Sequence, residues 1–91
     1  MTNIEKFKEI TEDMIHTYEA KNHDYGNSFD ESCNKFGFVA SVVRMNDKIN
    51  RINTLYNQNG IAKVNEKLED TLLDLANYAI MSVIWLGEHK I

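Results

Sequence analysis

Proline is absent from the 91 residues, cysteine occurs once and glycine four times. Without proline, nothing in the chain forces a break in a helix interior. The four glycines, Gly26, Gly37, Gly60 and Gly87, fall between periodic segments or near the chain end, where helices stop. This is the composition of a small all-α protein: a helical bundle of three main helices plus a short one, expected as a single domain over residues 1–91. The lone Cys33 excludes an internal disulfide and fits a reducing compartment. Basic residues are outnumbered by acidic ones, 10 against 14, for a net charge of −4. Such a balance argues against binding a nucleic-acid duplex, which needs a basic surface to neutralise phosphates. Long hydrophobic runs are missing too. The longest, Ala79 to Leu86, is interrupted by Ser82 and is too short to span a bilayer. The N-terminus is polar and amphipathic rather than signal-like. The expected location is therefore the cytoplasm, with no membrane partner.

What the chain does have is helical periodicity. Thr2 and Glu5 form a capping box, so a first helix is expected from Thr2, with Ile4, Phe7, Ile10, Met14 and Tyr18 on its apolar face. That pattern fades after Glu19, and Lys21 to Ser28 reads as a polar loop. Ser28 and Glu31 form a second capping box, predicting a short helix that runs to about Phe36 and stops at Gly37. A long helix should then cover Phe38 to Gln58, burying Phe38, Val42, Met45, Ile49, Ile52 and Tyr56. Asn59-Gly60 ends it. The last helix is expected from Val64 or Asn65, with Val64, Leu68, Leu72, Leu75, Ala79, Val83 and Leu86 on one face. The predicted core gathers Phe7, Met14, Val42, Ile49, Leu68, Leu72 and Leu75.

Charge is distributed unevenly over this plan. Glu66, Asp70, Asp74 and Asn77 line one face of the last helix, where like charges four residues apart repel by a few tenths of a kcal/mol per pair. Such a row calls for a counter-charge, and the middle helix carries one. Arg44, Lys48 and Arg51 project from a single face at i, i+4 and i+7, with Asp47 at its margin. One reading pairs the two rows across an antiparallel interface. Desolvation makes several buried ion pairs a poor source of stability, so a hydrophobic contact would hold the helices more simply. The other reading sets the Arg/Lys row against phosphate oxygens, which suit the planar fork of arginine, with the acids orienting it or holding Mg²⁺. The polar stretch adds Lys21, Asn22, His23, Asp24, Tyr25 and Asn27, more functional groups than a turn requires. Tyr25 can stack on a base or ribose, and Asn22, His23 and Asn27 can read polar edges. Taken singly, a His or Tyr in a small helical protein is more often packing or surface. The expected pocket unites Arg44, Asp47, Lys48, Asp70 and Asp74, with Tyr25 at its rim, and Arg51→Ala is expected to abolish ligand binding without lowering the melting temperature.

Three separated motifs carry a resemblance over nearly the whole chain: Lys21-Asn22-His23-Asp24-Tyr25-Gly26-Asn27-Ser28-Phe29, then Arg44-x-x-Asp47-Lys48-x-x-Arg51, then Glu66-x-x-x-Asp70-Thr71-Leu72-x-Asp74-Leu75-Ala76-Asn77-Tyr78-Ala79. Together they resemble the nucleotide modification-associated domain family, type one, found in phages, prophages and bacteria. The helical plan and acidic last motif also look like the all-α nucleoside triphosphate pyrophosphatases of the MazG and dimeric dUTPase group. In that group, acids from two helices hold Mg²⁺ around a triphosphate. Those enzymes carry an E-x-x-E pair where this chain has Asp47 alone among Arg and Lys, a departure that favours direct phosphate binding by cations. The resemblance implies a nucleotide-binding protein of phage or prophage type, gripping phosphates with Arg44, Lys48 and Arg51 and holding base and sugar with the Lys21 to Ser28 stretch; such a protein could sequester a nucleotide immune signal or present a modified nucleotide to other enzymes. The alternative is a Mg²⁺-dependent pyrophosphohydrolase, with Asp47, Glu66, Asp70 and Asp74 as metal ligands and a metal-activated water as nucleophile. A third reading is an interaction module with no small-molecule ligand.

Beyond Tyr78 the last helix stops being amphipathic. Ala79, Ile80, Met81, Val83, Ile84, Trp85 and Leu86 cover nearly its whole circumference, and a helix apolar all round must be covered all round. So short a chain is not expected to shield Met81, Val83 and Trp85 together. A homo-oligomer is expected, most simply a two-fold dimer through the Ala79–Leu86 region, with Trp85→Glu giving the monomer.

Overall fold

Four helices make up nearly all of the described chain: α1 (Asn3–Tyr25), α2 (Ser28–Phe36), α3 (Val39–Asn57) and α4 (Leu68–Glu88). The computed structural model describes residues 1–25, 27–58 and 67–89, without the side chains of Asp24 and Tyr25, and no strand occurs among the described residues. The fold is all-α, as composition and periodicity led us to expect.

Local chemistry explains most of the boundaries. The Glu5 backbone N–H donates to Thr2 Oγ1 (3.2 Å), the first half of the expected capping box, while the Glu5 carboxylate accepts from the Thr2 hydroxyl (3.1 Å) rather than from the Thr2 backbone N–H. α1 then runs past Glu19 through Lys21 to Tyr25, which corrects the expected loop. Loss of apolar periodicity does not by itself end a helix: Asn22, His23 and Asp24 are weak helix formers, but no Gly or Pro intervenes before Gly26 to break the hydrogen-bond ladder. α2 is capped one residue earlier than expected. Asn27 is its N-cap, and the Asn27 side-chain amide donates to the Asp30 carboxylate at 2.8 Å. The helix stops at Gly37, whose φ of +87° is open to glycine and strained for other residues. α4 starts at Leu68, because Lys67 is in extended conformation (φ −98°, ψ 151°). Val64, Asn65 and Glu66, where its start was expected, lie outside the described residues, as do Asn59 and Gly60.

α3 and α4 form the central pair and run antiparallel, since Ser41 meets Ser82 while Lys48 meets Asp74. Small side chains at Ser41, Thr71 and Ser82 are fully or nearly fully buried between them, beside Leu55. The hydroxyls are satisfied locally. Ser82 Oγ donates to the Tyr78 carbonyl at 2.6 Å, which leaves it free to accept from Ser41 Oγ. Short side chains of this kind let two helix axes approach closely. At one end of the pair, α2 folds over an aromatic cluster of Phe29, Cys33 and Trp85, with Phe38, Tyr78 and Met81 packed around it. Trp85 stacks on Phe38 with centroids 6.2 Å apart, and its Nε1–H donates to Asn34 Oδ1 at 2.9 Å. α1 leans on α4 through its second half, where Met14 and Tyr18 are half-buried.

The expected core therefore needs correcting. Phe7, Val42, Ile49 and Leu72 are exposed; Met14, Leu68 and Leu75 are half-buried. Tyr56, read as inward-facing, is 70% exposed. The faces chosen by apolar spacing on α3 and α4 are rotated away from the contact the two helices make with each other. Trp85 also differs from expectation: α2 and Phe38 cover it to 5% exposure, whereas Val83 remains 70% exposed. Among the described residues, no helix is long and apolar enough to cross a membrane.

Candidate functional site

Polar side chains from all four helices meet where α1, α2 and the α3–α4 pair converge. Lys21 and Asn22 extend from the last turns of α1, one turn beyond Tyr18. Arg44 and Lys48 lie one turn apart on α3, and Asp74, Asn77 and Tyr78 occupy successive turns of α4. With Ser28, Phe29 and Met81 they line a cavity of about 310 Å³ open to solvent. The helical extension of α1 through Lys21 is what brings its cation within reach of α4.

Asp74 is the hub. Its carboxylate accepts from Lys48 Nζ at 3.1 Å and faces Lys21 Nζ at 3.7 Å, so one acid joins cations from two helices. All three side chains keep substantial solvent exposure, which limits such pairs to roughly 1 kcal/mol or less of stability. Arg44 has no carboxylate partner among its observed contacts. Its Nη2 donates to Ser32 Oγ at 2.9 Å, and its guanidinium lies 5.7 Å from the Phe29 ring centroid. Phe29 in turn stacks against Tyr78 at 6.0 Å. The Arg44 fork is thus braced by an aromatic face and a hydroxyl, while among the described residues the cavity wall carries Lys21, Arg44 and Lys48 against Asp74 alone. Phosphate oxygens are the natural complement of that excess.

A second cavity of about 220 Å³ adjoins the first and shares Lys21, Asp74 and Asn77 with it. Asp13 and Asp70 add carboxylates there, among Ile10, Met14 and Leu73. Asp70 already has structural work, since its carboxylate accepts the Lys67 backbone N–H (3.4 Å) at the start of α4. Cys33 is buried beneath the site. Burial pushes its thiol up from the ordinary value of 9.0, against the opposing pull of a Ser41 backbone hydrogen bond and of Arg44. A thiol held protonated in this way is a packing group and a poor nucleophile.

Of the residues expected to form the site, Lys21, Asn22, Arg44, Lys48, Asp74 and Asn77 share the main cavity. Asp70 lines its neighbour. Asp47 is exposed on α3 and Arg51 is half-buried two turns beyond Arg44; neither lines the main cavity. His23 and Asn27 are exposed and likewise outside the lining, and Asn27 is engaged with Asp30. Glu66 and the side chains of Asp24 and Tyr25 lie outside the described residues. Sequence reading overlooks Tyr18, Phe29, Tyr78 and Met81 as site residues. Tyr18 could have been found from its i−3 and i−4 spacing to Lys21 and Asn22, which puts all three on one face.

Magnesium fits these residues poorly. Hard cations gather several oxygen ligands. No three His, Cys, Asp or Glu side chains converge among the described residues, and Asp74 is faced by two ammonium groups.

Compared with known families, the chain matches the model for nucleotide modification associated domain 1 over residues 21–86, from the last turns of α1 to Leu86 in α4. No curated protein and no solved structure matches the chain. The likeness to MazG-type pyrophosphatases therefore gains no support.

Proposed function

From the premise that the chain belongs to the nucleotide modification associated domain 1 family, we propose that it binds a phosphorylated nucleotide in the cavity between α1 and the α3–α4 pair. The observation that carries this reading is the convergence of Lys21, Arg44 and Lys48 on one open cavity where, among the described residues, Asp74 is the one carboxylate. Arg44, fixed against Phe29 and Ser32, presents its remaining donors as a fork for two phosphate oxygens. Lys21 and Lys48 exchange Asp74 for the ligand or bridge both. Asn22 and Asn77, each with a donor and an acceptor, read polar edges of the base or sugar, and the rings of Tyr18 and Tyr78 offer apolar faces to it. The ligand leaves as it entered in this reading: among the described residues that line the cavity no nucleophile is paired with a general base, and Asp74 is held by Lys48 and Lys21. In a phage-encoded protein of this kind, such binding withdraws a nucleotide immune signal from the host cytosol.

Calorimetric titration with nucleoside mono-, di- and triphosphates, without metal and at two salt concentrations, tests the proposal. Saturable binding that weakens with salt is expected, because charge-assisted contacts to phosphate carry the affinity. Arg44→Ala should lose about ten- to one-hundredfold in affinity, in line with a charged hydrogen-bond pair, while retaining the helical circular-dichroism signal. The reading fails if no phosphorylated nucleotide binds, or if folded Arg44→Ala binds as tightly as the wild type.

A further inference from the structure

The outward face of α3 carries no charge. In a chain where 26% of residues are charged, every charged residue of α3 (Arg44, Asp47, Lys48 and Arg51) falls on the other half of the helical wheel. What points outward is apolar or amide. Val39, Val42, Val43, Ile49 and Tyr56 are each 46–70% exposed, and Asn46, Asn50, Asn53 and Asn57 lie between them, also exposed. This surface is rotated by about half a turn from Arg44 and Lys48, so it looks away from the cavity. Together the nine side chains present on the order of 800 Å², about what one side of a standard dimer interface covers.

We infer that this face is covered by a second copy of the chain, packed through α3 about a two-fold axis. Two features favour a second copy as the occupant. The face offers about the area that one side of a stable dimer needs. Val42 and Tyr56 also stand seven residues before and after Ile49, so an antiparallel partner α3 centred there sets Ile49 beside its counterpart and Val42 beside Tyr56, apolar against apolar. A partner of either charge would find no ion to pair with on this face, whereas a second copy brings none to repel. α4 likewise turns Leu72 and Val83, both exposed, away from the cavity. The two cavities of such a dimer stay open on opposite sides, so ligand access and dimerisation are independent.

Sedimentation velocity on the full chain at micromolar concentration tests this, with Asn46→Glu and Asn50→Glu as paired variants. Both positions are exposed and polar, so adding a carboxylate there leaves the fold of the chain intact, which far-UV circular dichroism checks. The wild type should sediment as a dimer of about 21 kDa, twice the 10.6 kDa chain, and each variant as the monomer. Ile84→Glu, in the apolar groove between α1 and α4, should stay dimeric. A wild-type monomer overturns the inference, as does a dimer that survives both asparagine variants. So does one broken by Ile84→Glu alone, which would move the contact to that groove.

Discussion

The two faces of α3 invert the usual arrangement of a surface helix. Toward α4 it presents Ser41, Arg44, Lys48 and Leu55; toward solvent it presents Val42, Ile49 and Tyr56. α4 repeats the inversion, with Thr71, Asp74 and Ser82 facing α3 while Leu72 and Val83 face out. The inner face is built for close approach and for a site, so it uses hydroxyls and charges that either satisfy one another or line the cavity. The outer face is built from what ordinarily makes a core. Apolar periodicity therefore marks a face that seeks cover without saying which chain supplies it. The Cα radius of gyration agrees. At 14.6 Å it exceeds the roughly 12 Å expected of a compact chain of this length.

If the fold of the single chain rests on the inner cluster rather than on the outer stripes, damage to the two should differ sharply. Trp85→Ala removes the ring that Phe38, Asn34 and α2 enclose, and should cost about 3–5 kcal/mol in denaturant unfolding. A truncation outside, such as Val83→Ala, should cost little per protomer when measured below the dimer's dissociation concentration, because Val83 is 70% exposed. Next in size is the effect on ligand of Asp74→Asn. Removing the carboxylate frees Lys48 and Lys21 for phosphate and should tighten nucleotide binding several-fold by titration; a metal-dependent hydrolase would instead lose activity. Ser82→Ala strands the Ser41 hydroxyl inside the α3–α4 contact and should cost about 1–2 kcal/mol, seen as a lowered urea midpoint. Lys21→Ala should be smallest in stability, at roughly 0–1 kcal/mol, yet clear in nucleotide affinity. That split would separate a ligand-binding lysine from a structural one.

Much of this was legible in the chain. The cap at Thr2, the stop at Gly37 and the span of α3 follow from local rules, and those rules held because they need no tertiary partner. The rows Arg44/Lys48 and Asp74/Asn77 were found from spacing, because residues three or four apart share a face in any helix. What spacing could not supply is the rotation of each helix about its own axis. The stripe through Val42, Ile49 and Tyr56 was assigned to the core because it is apolar, and Ser41 and Ser82 were passed over because hydroxyls score as surface. Lys21 to Tyr25 was read as loop for the same kind of reason, since a polar helical turn beside a cavity has no apolar period to reveal it. Arg51 and Asp47 show the cost in the site. They belong to the right helix, but the cavity is reached by Arg44 and Lys48.

The central claim, that the inner face of α3 binds a nucleotide without altering it, is tested most directly by recovering what the protein holds. Purified protein is incubated with a nucleotide panel and Mg²⁺, freed of unbound ligand, heat-denatured, and the supernatant is resolved by chromatography. The account predicts an intact nucleotide released in proportion to protein, and none from folded Arg44→Ala. Monophosphate with pyrophosphate, or no nucleotide at all, would contradict it.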